Sequence, residues 1–478
     1  MLLGIDLGTR SVKALLLSPD GTILGEASQP YPVNAPRSGW AETDPPDWWA
    51  AIAIAVRAAV QNHLVQAIGL SGQMHGVVLT RATGEPLRPA ILWADTRSSE
   101  MLAHYHQLDG AMRQRLANPI AAGMAGATLL WLRQHEPESY TAARWALQPK
   151  DWVRMQMTGE AAAEPSDASA TLLYDLLSDR WAEDIATVLG LRADLLAPIL
   201  PSSQIAGQLN STAAEHLGLP VGIPVVAGAG DTAAAALGSG LTAPGLVQLT
   251  IGSAAQIAAP RSQPAIDPHG CTHLFRAALP QQWYSLAAMQ NAGLALEWVR
   301  SILGYDWPQI YAEVFAIPSG CEGLTFLPYL TGERTPHLDP HIRGSWVGLG
   351  LHHTRAHLMR SSLEGVAFAL RQGLEALRAT GLSVEELRLA GGGSLEPQWR
   401  QLLANVLRVP LRSVPVSAAS ALGAARLAGM GIGVDCESAI QSLAVLTVPQ
   451  AIDSDLEAAW QRFCALYPPL HQFTTAFL

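Results

Sequence analysis

The sequence has few cysteines and little charge. Its 478 residues include four cysteines that lie far apart and form no C-x-x-C pair, namely Cys271, Cys321, Cys436 and Cys464. This usage argues against a disulfide framework and a zinc site and is typical of a reducing compartment, so we expect a cytoplasmic protein. Charged residues make up 15% of the chain, and the net charge is −10 at pH 7. Such an acidic balance argues against a nucleic-acid partner and against an anionic membrane surface.

Long apolar runs and the commonest nucleotide motif are also lacking. No stretch approaches 18 uninterrupted apolar residues, which argues against a membrane-spanning helix. Asp6 falls where a signal peptide would be most apolar, so we expect none. The pattern G-x-x-x-x-G-K-[ST] is absent, so any phosphate chemistry is not of the P-loop kind. The length predicts two or three domains, with a candidate hinge at Leu241–Gly245.

What the sequence does contain is a distinctive opening. Two apolar runs, 2–7 and 12–17, flank the polar turn Gly8–Ser11, and a second turn leads to a third apolar segment. This order predicts three strands joined by turns. Asp6 interrupts the first run, and a carboxylate in a buried strand is costly unless something pairs with it. The turn offers N–H groups and two hydroxyls that suit a phosphate, yet an ordinary satisfied polar turn explains this stretch equally well.

The opening pattern recurs in the second half of the chain. Residues 246–251, the pair Gly252-Ser253 and residues 254–259 again predict a strand, a glycine–hydroxyl turn and a strand. A third glycine turn, at 391–394, follows a predicted strand and precedes a predicted helix. Helix N-termini and glycine turns bind phosphates through backbone N–H groups. The three turns together therefore fit a nucleotide held between two related halves.

Two further predicted strands end in polar residues. Residues 65–70 lead to a polar turn that contains His75, and residues 89–94 lead to Asp95. In open α/β sheets, ligands bind beyond the carboxyl ends of the strands. His75 and Asp95 are therefore candidate substrate contacts.

The segment Gly228–Ala233 matches a relaxed dinucleotide fingerprint, G-x-G-x-x-A, between a predicted strand and a predicted helix. We reject a dinucleotide site, because Asp231 would repel the pyrophosphate and the acidic residue expected about twenty positions later is missing. A carboxylate kept ionised at a helix N-terminus explains the segment better, and a plain helix cap is the alternative that the residues leave open.

Three histidines, His352, His353 and His357, raise the question of a metal site. Their H-x-x-x-H spacing has no Glu after the first histidine, and no third ligand is in sight. An exposed helix start is therefore favoured over a metal site.

Together these motifs resemble those of the FGGY carbohydrate kinases, and most closely the bacterial xylulokinases within that family. The resemblance covers essentially the whole chain, and the motif Gly72–Gly76 is the most specific to xylulokinases. The matching segments, in family order, are Gly4–Lys13, Trp40–Trp49, Gly72–Gly76, Ile91–Arg97, Pro149–Trp152, Gly228–Asp231, Gly332–His337, Gly344–Leu349 with His357–Glu364, and Leu389–Gly393.

The resemblance implies an α/β fold of two actin-like (ribonuclease H-like, ASKHA) domains, residues 1–243 and 244–478, with a cleft between them. It implies transfer of the ATP γ-phosphate, with Mg²⁺, to a terminal hydroxyl of an open-chain ketose, most simply D-xylulose to D-xylulose 5-phosphate. The alternatives are a kinase for another ketose or polyol, such as D-ribulose, and an actin- or Hsp70-like ATPase without a sugar acceptor. A homodimer is compatible with the sequence.

The resemblance also assigns roles by position. It implies that Asp231 is the general base and that Asp6 holds the hydrated Mg²⁺. The other implied contacts are Met74, His75, Trp93 and Thr232 to the sugar, Thr9, Arg10, Ser11, Gly252 and Ser253 to the phosphates, and Gly392, Gly393 and Asn405 on the adenosine side.

Four positions depart from the residues usual in the family. Thr128 stands where Lys is usual, Thr232 where Asn follows the base, and Ala94 where Asn is common. Arg10 replaces a small residue in the first turn. The change at Thr232 bears on which sugar is preferred more than on the type of reaction.

Overall fold

Each half of the chain folds around one twisted sheet. The protein is seen in a computed structural model that describes residues 1–392, 395–414, 418–434, 436 and 445–476. Within these residues, each main sheet has seven strands. No helix in this part of the chain combines the length and apolarity needed to cross a bilayer.

The first half contains thirteen strands and ten α-helices in its described residues, with two short 3-10 helices at Arg97–Met101 and Ala193–Leu195. The strands are β1 (Leu2–Leu7), β2 (Ser11–Leu17), β3 (Ile23–Pro30), β4 (Glu42–Thr43), β5 (Ala67–Gly72), β6 (Val78–Thr80), β7 (Ala90–Ile91), β8 (Trp145–Leu147), β9 (Tyr174–Asp175), β10 (Arg180–Trp181), β11 (Ile205–Gln208), β12 (Pro224–Val226) and β13 (Ala229–Gly230). The helices are α1 (Pro45–Val60), α2 (Leu102–His106), α3 (Gly110–Leu116), α4 (Ala125–His135), α5 (Pro137–Ala142), α6 (Pro149–Thr158), α7 (Pro165–Ala168), α8 (Glu183–Val188), α9 (Ser211–Leu217) and α10 (Asp231–Gly238).

The second half contains fewer and longer elements, with short 3-10 helices at Val314–Ala316 and Cys321–Gly323. Its strands are β14 (Gln248–Ile251), β15 (Ala255–Arg261), β16 (His273–Arg276), β17 (Trp283–Met289), β18 (Thr325–Leu327), β19 (Ser345–Val347), β20 (Leu387–Gly391), β21 (Leu411–Ser413) and β22 (Leu446–Thr447). Its helices are α11 (Gly293–Leu303), α12 (Trp307–Glu313), α13 (Arg355–Ala379), α14 (Pro397–Leu407), α15 (Ala419–Gly431) and α16 (Ser454–Thr475).

The two main sheets share one topology. The first runs β11-β12-β5-β1-β2-β3, with β13 beside β5, and the second runs β16-β17-β15-β14-β20-β21-β22. In both sheets the first two strands form an antiparallel hairpin (β1 with β2, β14 with β15), and a later strand pairs in parallel with the hairpin's first strand (β5 with β1, β20 with β14). The predicted strand–turn–strand opening and its repeat are therefore confirmed.

Each half buries its own apolar core. Trp48 and Ile52 of α1 join Ile5 of β1 in the core of the first half. In the second half, Leu363 and Val366 of the long helix α13 are fully buried. Residues 359–371 of α13 are all buried, so the middle of this helix is enclosed on every face.

Helix α15 belongs to the second half of the sequence but packs on the sheet of the first half. Ala421, Ala425 and Ala428 share an apolar cluster with Leu2 of β1. A Cβ atom at Gly4 would lie 1.9 Å from the carbonyl oxygen of Ala421, so the approach requires glycine at that position. The small residues of this Ala-rich helix thus connect the two halves beneath the first turn.

Candidate active site

Strand register brings Asp6 and Asp231 to the same region of the first sheet. Asp6 lies opposite Ser71 on β5, and Ser71 lies opposite Ala229 on β13, two residues before Asp231. Neighbouring strands are about 4.8 Å apart, so the backbones of β1 and β13 are separated by roughly 10 Å. The two carboxylates, Asp6 and Asp231, lie close enough to interact electrostatically.

Both carboxylates have raised pKa values. The enclosing protein, and then the charge of Asp231, raise the pKa of Asp6 to about 6, although Ser71 donates a hydrogen bond of 3.0 Å to its Oδ1. Burial likewise raises the pKa of Asp231. Two carboxylates so placed provide a hard, oxygen-rich site whose repulsion a cation would relieve.

The first turn of α10 fixes one oxygen of Asp231. The backbone N–H and the hydroxyl of Thr232 both donate to Oδ1, at 2.6 and 3.1 Å. No described residue hydrogen-bonds to Oδ2. Gly230 permits this placement, because a Cβ there would lie 2.9 Å from Cγ of Met74. The carboxylate is thus held at a helix N-terminus with one oxygen available as an acceptor.

A fully buried ionic cluster supports the segment before Asp231. Lys150 contacts the carboxylates of Asp151, Glu164 and Asp167 at 2.7, 3.2 and 3.2 Å. Ser166, in the same cluster, accepts a hydrogen bond of 2.9 Å from the backbone N–H of the glycine that precedes Asp231. The cluster includes the motif at Pro149–Trp152, and it fixes the backbone that presents the carboxylate.

The first phosphate-type turn is held in shape by its neighbours. The N–H of Gly8 donates to the carbonyl of Ser11 at 3.1 Å, and the carbonyl of Gly8 accepts from the hydroxyl of Tyr31. The indole N–H of Trp93 donates to Thr9 Oγ1 at 3.0 Å, which leaves the Thr9 hydroxyl proton for another acceptor. Arg10, in the same turn, is exposed.

The second turn, Gly252-Ser253, lies in the other half of the chain. Gly252 and Ser253 are exposed, while their carbonyls accept from the N–H groups of Gly293 and Leu294 at 3.0 and 2.9 Å. These bonds tie the turn to the start of α11. The turn therefore has a fixed backbone and an accessible hydroxyl.

The third turn lies beside the second. Gly391 pairs with Ile251 of β14 and adopts φ +87°, a left-handed conformation that favours glycine. Gly392 is exposed with open space around it, and Gly393 lies outside the described residues. The side chain of Asn405 on α14 already hydrogen-bonds to other protein groups. Its Oδ1 accepts from the Gln401 side chain and the Gln450 backbone, both at 2.9 Å.

The polar pocket around Met74 and His75 draws on both halves of the chain. His75 Nδ1 lies 2.7 Å from the carbonyl of Ala170, so Nδ1 carries the proton and Nε2 is left as an acceptor. Burial lowers the pKa of His75 to about 4, which keeps the ring neutral. The hydroxyl of Tyr284 lies 4.0 Å from Met74 Sδ, and the rings of His75 and Phe275 are 6.3 Å apart.

Sequence reasoning missed the residues that the second half contributes to this pocket. His273, Phe275 and Tyr284 come from β16 and β17, where nothing local marks them as functional. Arg334 also reaches the pocket, with its guanidinium carbon 5.6 Å from the ring centroid of Trp93. Of these four residues, only Arg334 lies in a motif that the sequence makes recognisable, Gly332–His337. No functional role could be assigned to that motif from the sequence.

The prediction that Asp95 contacts the substrate is wrong. The expected strand at 89–94 is only the two-residue β7, which pairs with β4 outside the main sheet. The Asp95 carboxylate is buried and accepts from the Arg97 guanidinium at 2.9 and 2.7 Å and from the Ala41 N–H at 2.7 Å. These bonds saturate it, so Asp95 is a structural residue.

The histidine cluster agrees with the predicted helix start. His353 Nδ1 accepts from the Gly350 N–H at 2.8 Å, and His357 Nδ1 accepts from the Thr354 N–H at 3.2 Å. In the neutral rings, therefore, Nε2 carries the proton. His352 Nε2 lies 3.2 Å from the Glu322 carboxylate. Glu322, His352 and His353 lie close enough to hold a metal, but binding through Nε2 of His353 would break the bond that its Nδ1 accepts from Gly350.

Comparison with known proteins establishes the family. The N-terminal domain of the FGGY family of carbohydrate kinases matches residues 1–238, and its C-terminal domain matches residues 249–432. The chain belongs to the FGGY family of carbohydrate kinases. The expected resemblance and the actin-like α/β fold are thereby confirmed, and the enzyme is a sugar kinase.

Three of the most similar proteins show how far the likeness extends. The chain is 34% identical to the xylulose kinase of Escherichia coli (strain K12), covering 99% of this chain and 98% of that protein. It is 34% identical to the xylulose kinase of Bacillus subtilis (strain 168), covering 90% of this chain and 88% of that protein. The crystal structure of xylulose kinase from Rhodospirillum rubrum matches with a TM-score of 0.90 at 30% identity over 99% of both chains.

Proposed function

We propose that this sugar kinase transfers the γ-phosphate of ATP to D-xylulose and forms D-xylulose 5-phosphate. The observation that carries the proposal is the arrangement of Asp231, with one oxygen fixed by Thr232 and the other available, beside Asp6 and next to a pocket with the neutral His75. The xylulose kinases described above, which match nearly the whole chain, support this choice of sugar.

In the proposed reaction, Asp231 is the general base. Its Oδ2 accepts the proton of the sugar's terminal hydroxyl as that oxygen bonds to the γ-phosphorus and the bond to the β-phosphate oxygen breaks, which releases ADP. Phosphoryl transfer needs positioning and charge stabilisation more than covalent help, so one well-placed acceptor suffices. The raised pKa of Asp231 makes it a better acceptor than an exposed carboxylate.

Asp6 fits the role of a magnesium holder. Its Oδ1 accepts one hydrogen bond, from Ser71, and no described residue hydrogen-bonds to Oδ2. Mg²⁺ prefers carboxylate and phosphate oxygens and keeps several waters, so we propose that Asp6 holds it through water. When bound, the ion would neutralise charge on the phosphates. Asp6 itself positions the ion at the cleft floor.

The three turns would bind ATP from both sides of the cleft. On the phosphate side, Thr9 has a hydroxyl proton to donate, because its oxygen already accepts from Trp93. On the adenosine side, the Gln450 side chain accepts from Asn405 at 3.2 Å and adds a polar group. We propose Thr9, Arg10, Ser11, Gly252 and Ser253 for the phosphates, and Gly392, Gly393 and Asn405 for the adenosine.

The sugar would lie between the two halves, against Met74, His75 and Trp93, with Thr232 beside the base. The division at residues 243 and 244 would then separate a sugar-binding half from a nucleotide-binding half, joined by α15. Exclusion of water by closure of this cleft would limit ATP hydrolysis.

A kinase for another pentulose, such as D-ribulose, is the second candidate. The Thr232 hydroxyl donates to Asp231 Oδ1. Thr232 therefore does not give the sugar the amide contact that the asparagine usual at this position would give. An ATPase without a sugar acceptor would have no use for the pocket of Met74 and His75.

A coupled ADP-release assay across a panel of acceptors tests the proposal. We expect D-xylulose to show the highest kcat/KM, at least about tenfold above D-ribulose, pentitols and glycerol, since one lost polar contact costs about that factor. A higher kcat/KM for D-ribulose would select the second candidate. ADP release that is independent of every acceptor would contradict the kinase reaction.

A further inference from the structure

Arg334 places an unpartnered cation beside the sugar pocket. Its side chain is exposed, and its guanidinium makes no hydrogen bond or ion pair with any described residue. The guanidinium carbon lies 5.6 Å from the centroid of the Trp93 ring, whose N–H bonds to the first phosphate turn. The protein around this guanidinium lowers its pKa. A guanidinium only donates hydrogen bonds, so its N–H groups are open to an acceptor that a ligand would supply.

The loop that carries Arg334 is held rigidly on both sides. Thr335 donates from its hydroxyl to the carbonyl of Cys271 at 2.8 Å and from its N–H to the carbonyl of Ala288 at 3.0 Å. Glu333 Oε1 accepts from the N–H groups of Gln290 and Arg334 at 2.6 and 2.8 Å. The backbone is therefore pre-organised around a side chain that the protein leaves without a partner. Such pre-organisation is typical of binding residues.

The neighbours of Arg334 place its charge at the sugar. Both His75 and His273 experience the guanidinium charge, which adds to burial in lowering their pKa values, to about 4 and about 3. Among the described residues, Glu333, its sequence neighbour, is the carboxylate whose charge acts on the guanidinium. The cation thus faces the pocket that Met74 and His75 line.

We propose that Arg334 is a substrate-binding residue whose guanidinium donates hydrogen bonds to the C2 carbonyl oxygen of the open-chain sugar. This inference rests on the proposed function and specifies how the acceptor is recognised. A carbonyl oxygen only accepts and a guanidinium only donates, so the two match without a further partner. A C2 alcohol matches less well, because its own proton also needs an acceptor that Arg334 does not provide.

The contact is tested by comparing D-xylulose with xylitol, in which C2 carries a hydroxyl. In Arg334→Met, we expect kcat/KM for D-xylulose to fall about 10- to 100-fold, the usual effect of losing a hydrogen bond to a charged group. The loss for xylitol, as substrate or as competitive inhibitor, should be at least about fivefold smaller, and KM for ATP should not change. Arg334→Lys, which keeps the charge but not the fork of donors, should restore part of the loss.

Arg343→Met is the matched control, because among the described residues the Arg343 guanidinium bonds to the carbonyls of Pro340 and Ile342 in its own segment. Equal losses for both acceptors, or a raised KM for ATP with unchanged D-xylulose kinetics, would overturn the assignment. Calorimetric binding of D-xylulose without ATP distinguishes failure of the proposed function from failure of the Arg334 contact. If wild type binds and phosphorylates no pentulose, the proposed function fails; if it does both and Arg334→Met matches it, the inference alone fails.

Discussion

The two glycine–hydroxyl turns are built alike but carry different charges. In the first half, Asp6 precedes the turn and lies opposite Ser71 on the parallel neighbour β5. In the second half, Thr250 holds the corresponding place and lies opposite Ala390 on β20. Backbone N–H groups in either turn can bind phosphate oxygens, but only the first turn has a carboxylate for a cation. The repeat thus preserves the backbone turn, while the proposed metal role falls to one half alone.

The two halves also differ in how their buried carboxylates are hydrogen-bonded. Asp6 and Asp231 each have one oxygen to which no described residue hydrogen-bonds. Glu333 of the second half is buried, and its Oε1 accepts from the backbone N–H groups of Gln290 and Arg334. The acidic residues of the first half are those we propose for chemistry, whereas Glu333 holds a loop in place.

Among the variants that compare the two turns, removing the charge of the first turn should have the largest effect. We expect Asp6→Asn to lower kcat by on the order of 100-fold and to weaken the dependence of the rate on Mg²⁺, because the ion loses its carboxylate. A Mg²⁺ titration of ADP release measures both changes. Asp44→Asn, which alters an exposed carboxylate without a side-chain cap bond, is the control and should behave as wild type. An unchanged titration in Asp6→Asn would count against the asymmetry.

The buried carboxylate of the second half should affect stability instead. Burial raises the pKa of Glu333 from its ordinary 4.5 to about 7, so between these pH values the folded state binds more protons than the unfolded state. The free energy of unfolding therefore falls as pH rises through this window, by at most about 3 kcal/mol. Denaturant unfolding at pH 5 and pH 7.5 should show this slope in wild type and a weaker one in Glu333→Gln. Equal slopes would contradict it.

The contact of α15 with the first half should tolerate no added methyl group. A Cβ at Gly423 would lie 1.8 Å from the carbonyl oxygen of Ala234 in α10, whereas a Cβ at Gly110 would meet nothing within 4 Å. We expect Gly423→Ala to lower the free energy of unfolding by about 1–3 kcal/mol and Gly110→Ala to leave it nearly unchanged. Denaturant titrations of the two variants make the comparison. Equal stability would show that the halves are not packed as described.

Altering the second turn should have the smallest effect. Thr250 is exposed and accepts one hydrogen bond of 3.2 Å from the side chain of Gln248. We expect Thr250→Ala to change kcat and the KM for ATP by less than about threefold, since a single exposed hydrogen bond contributes roughly 0.5 kcal/mol or little more. A loss of Mg²⁺ dependence comparable to that of Asp6→Asn would remove the distinction between the turns.

Local pattern was enough to predict the sheets but not the contacts between halves. The hairpin at 2–17 and its repeat at 246–259 follow from apolar runs and turn residues, which act over short distances. The placement of α15 on the first sheet could not be predicted, because an Ala-rich run gives no indication of its partner.

Only some residues of the candidate site could be predicted from local sequence. Asp6 and Asp231 could be predicted because a carboxylate in an apolar strand and one after two glycines are locally unusual. Asp95 also looked unusual, but its buried pairing with Arg97 could not be inferred from strand ends alone. His273 and Arg334 could not be placed because their position in the pocket depends on how the two halves meet.

In the proposed reaction, Asp231 accepts the proton of the sugar hydroxyl. The most direct test is sugar-dependent ADP release by Asp231→Asn, measured together with ATP affinity by calorimetry. We expect release to fall by about 100- to 10,000-fold, the usual contribution of a general base, while ATP binds as in wild type. Sugar-dependent release within about tenfold of wild type would contradict this role of Asp231.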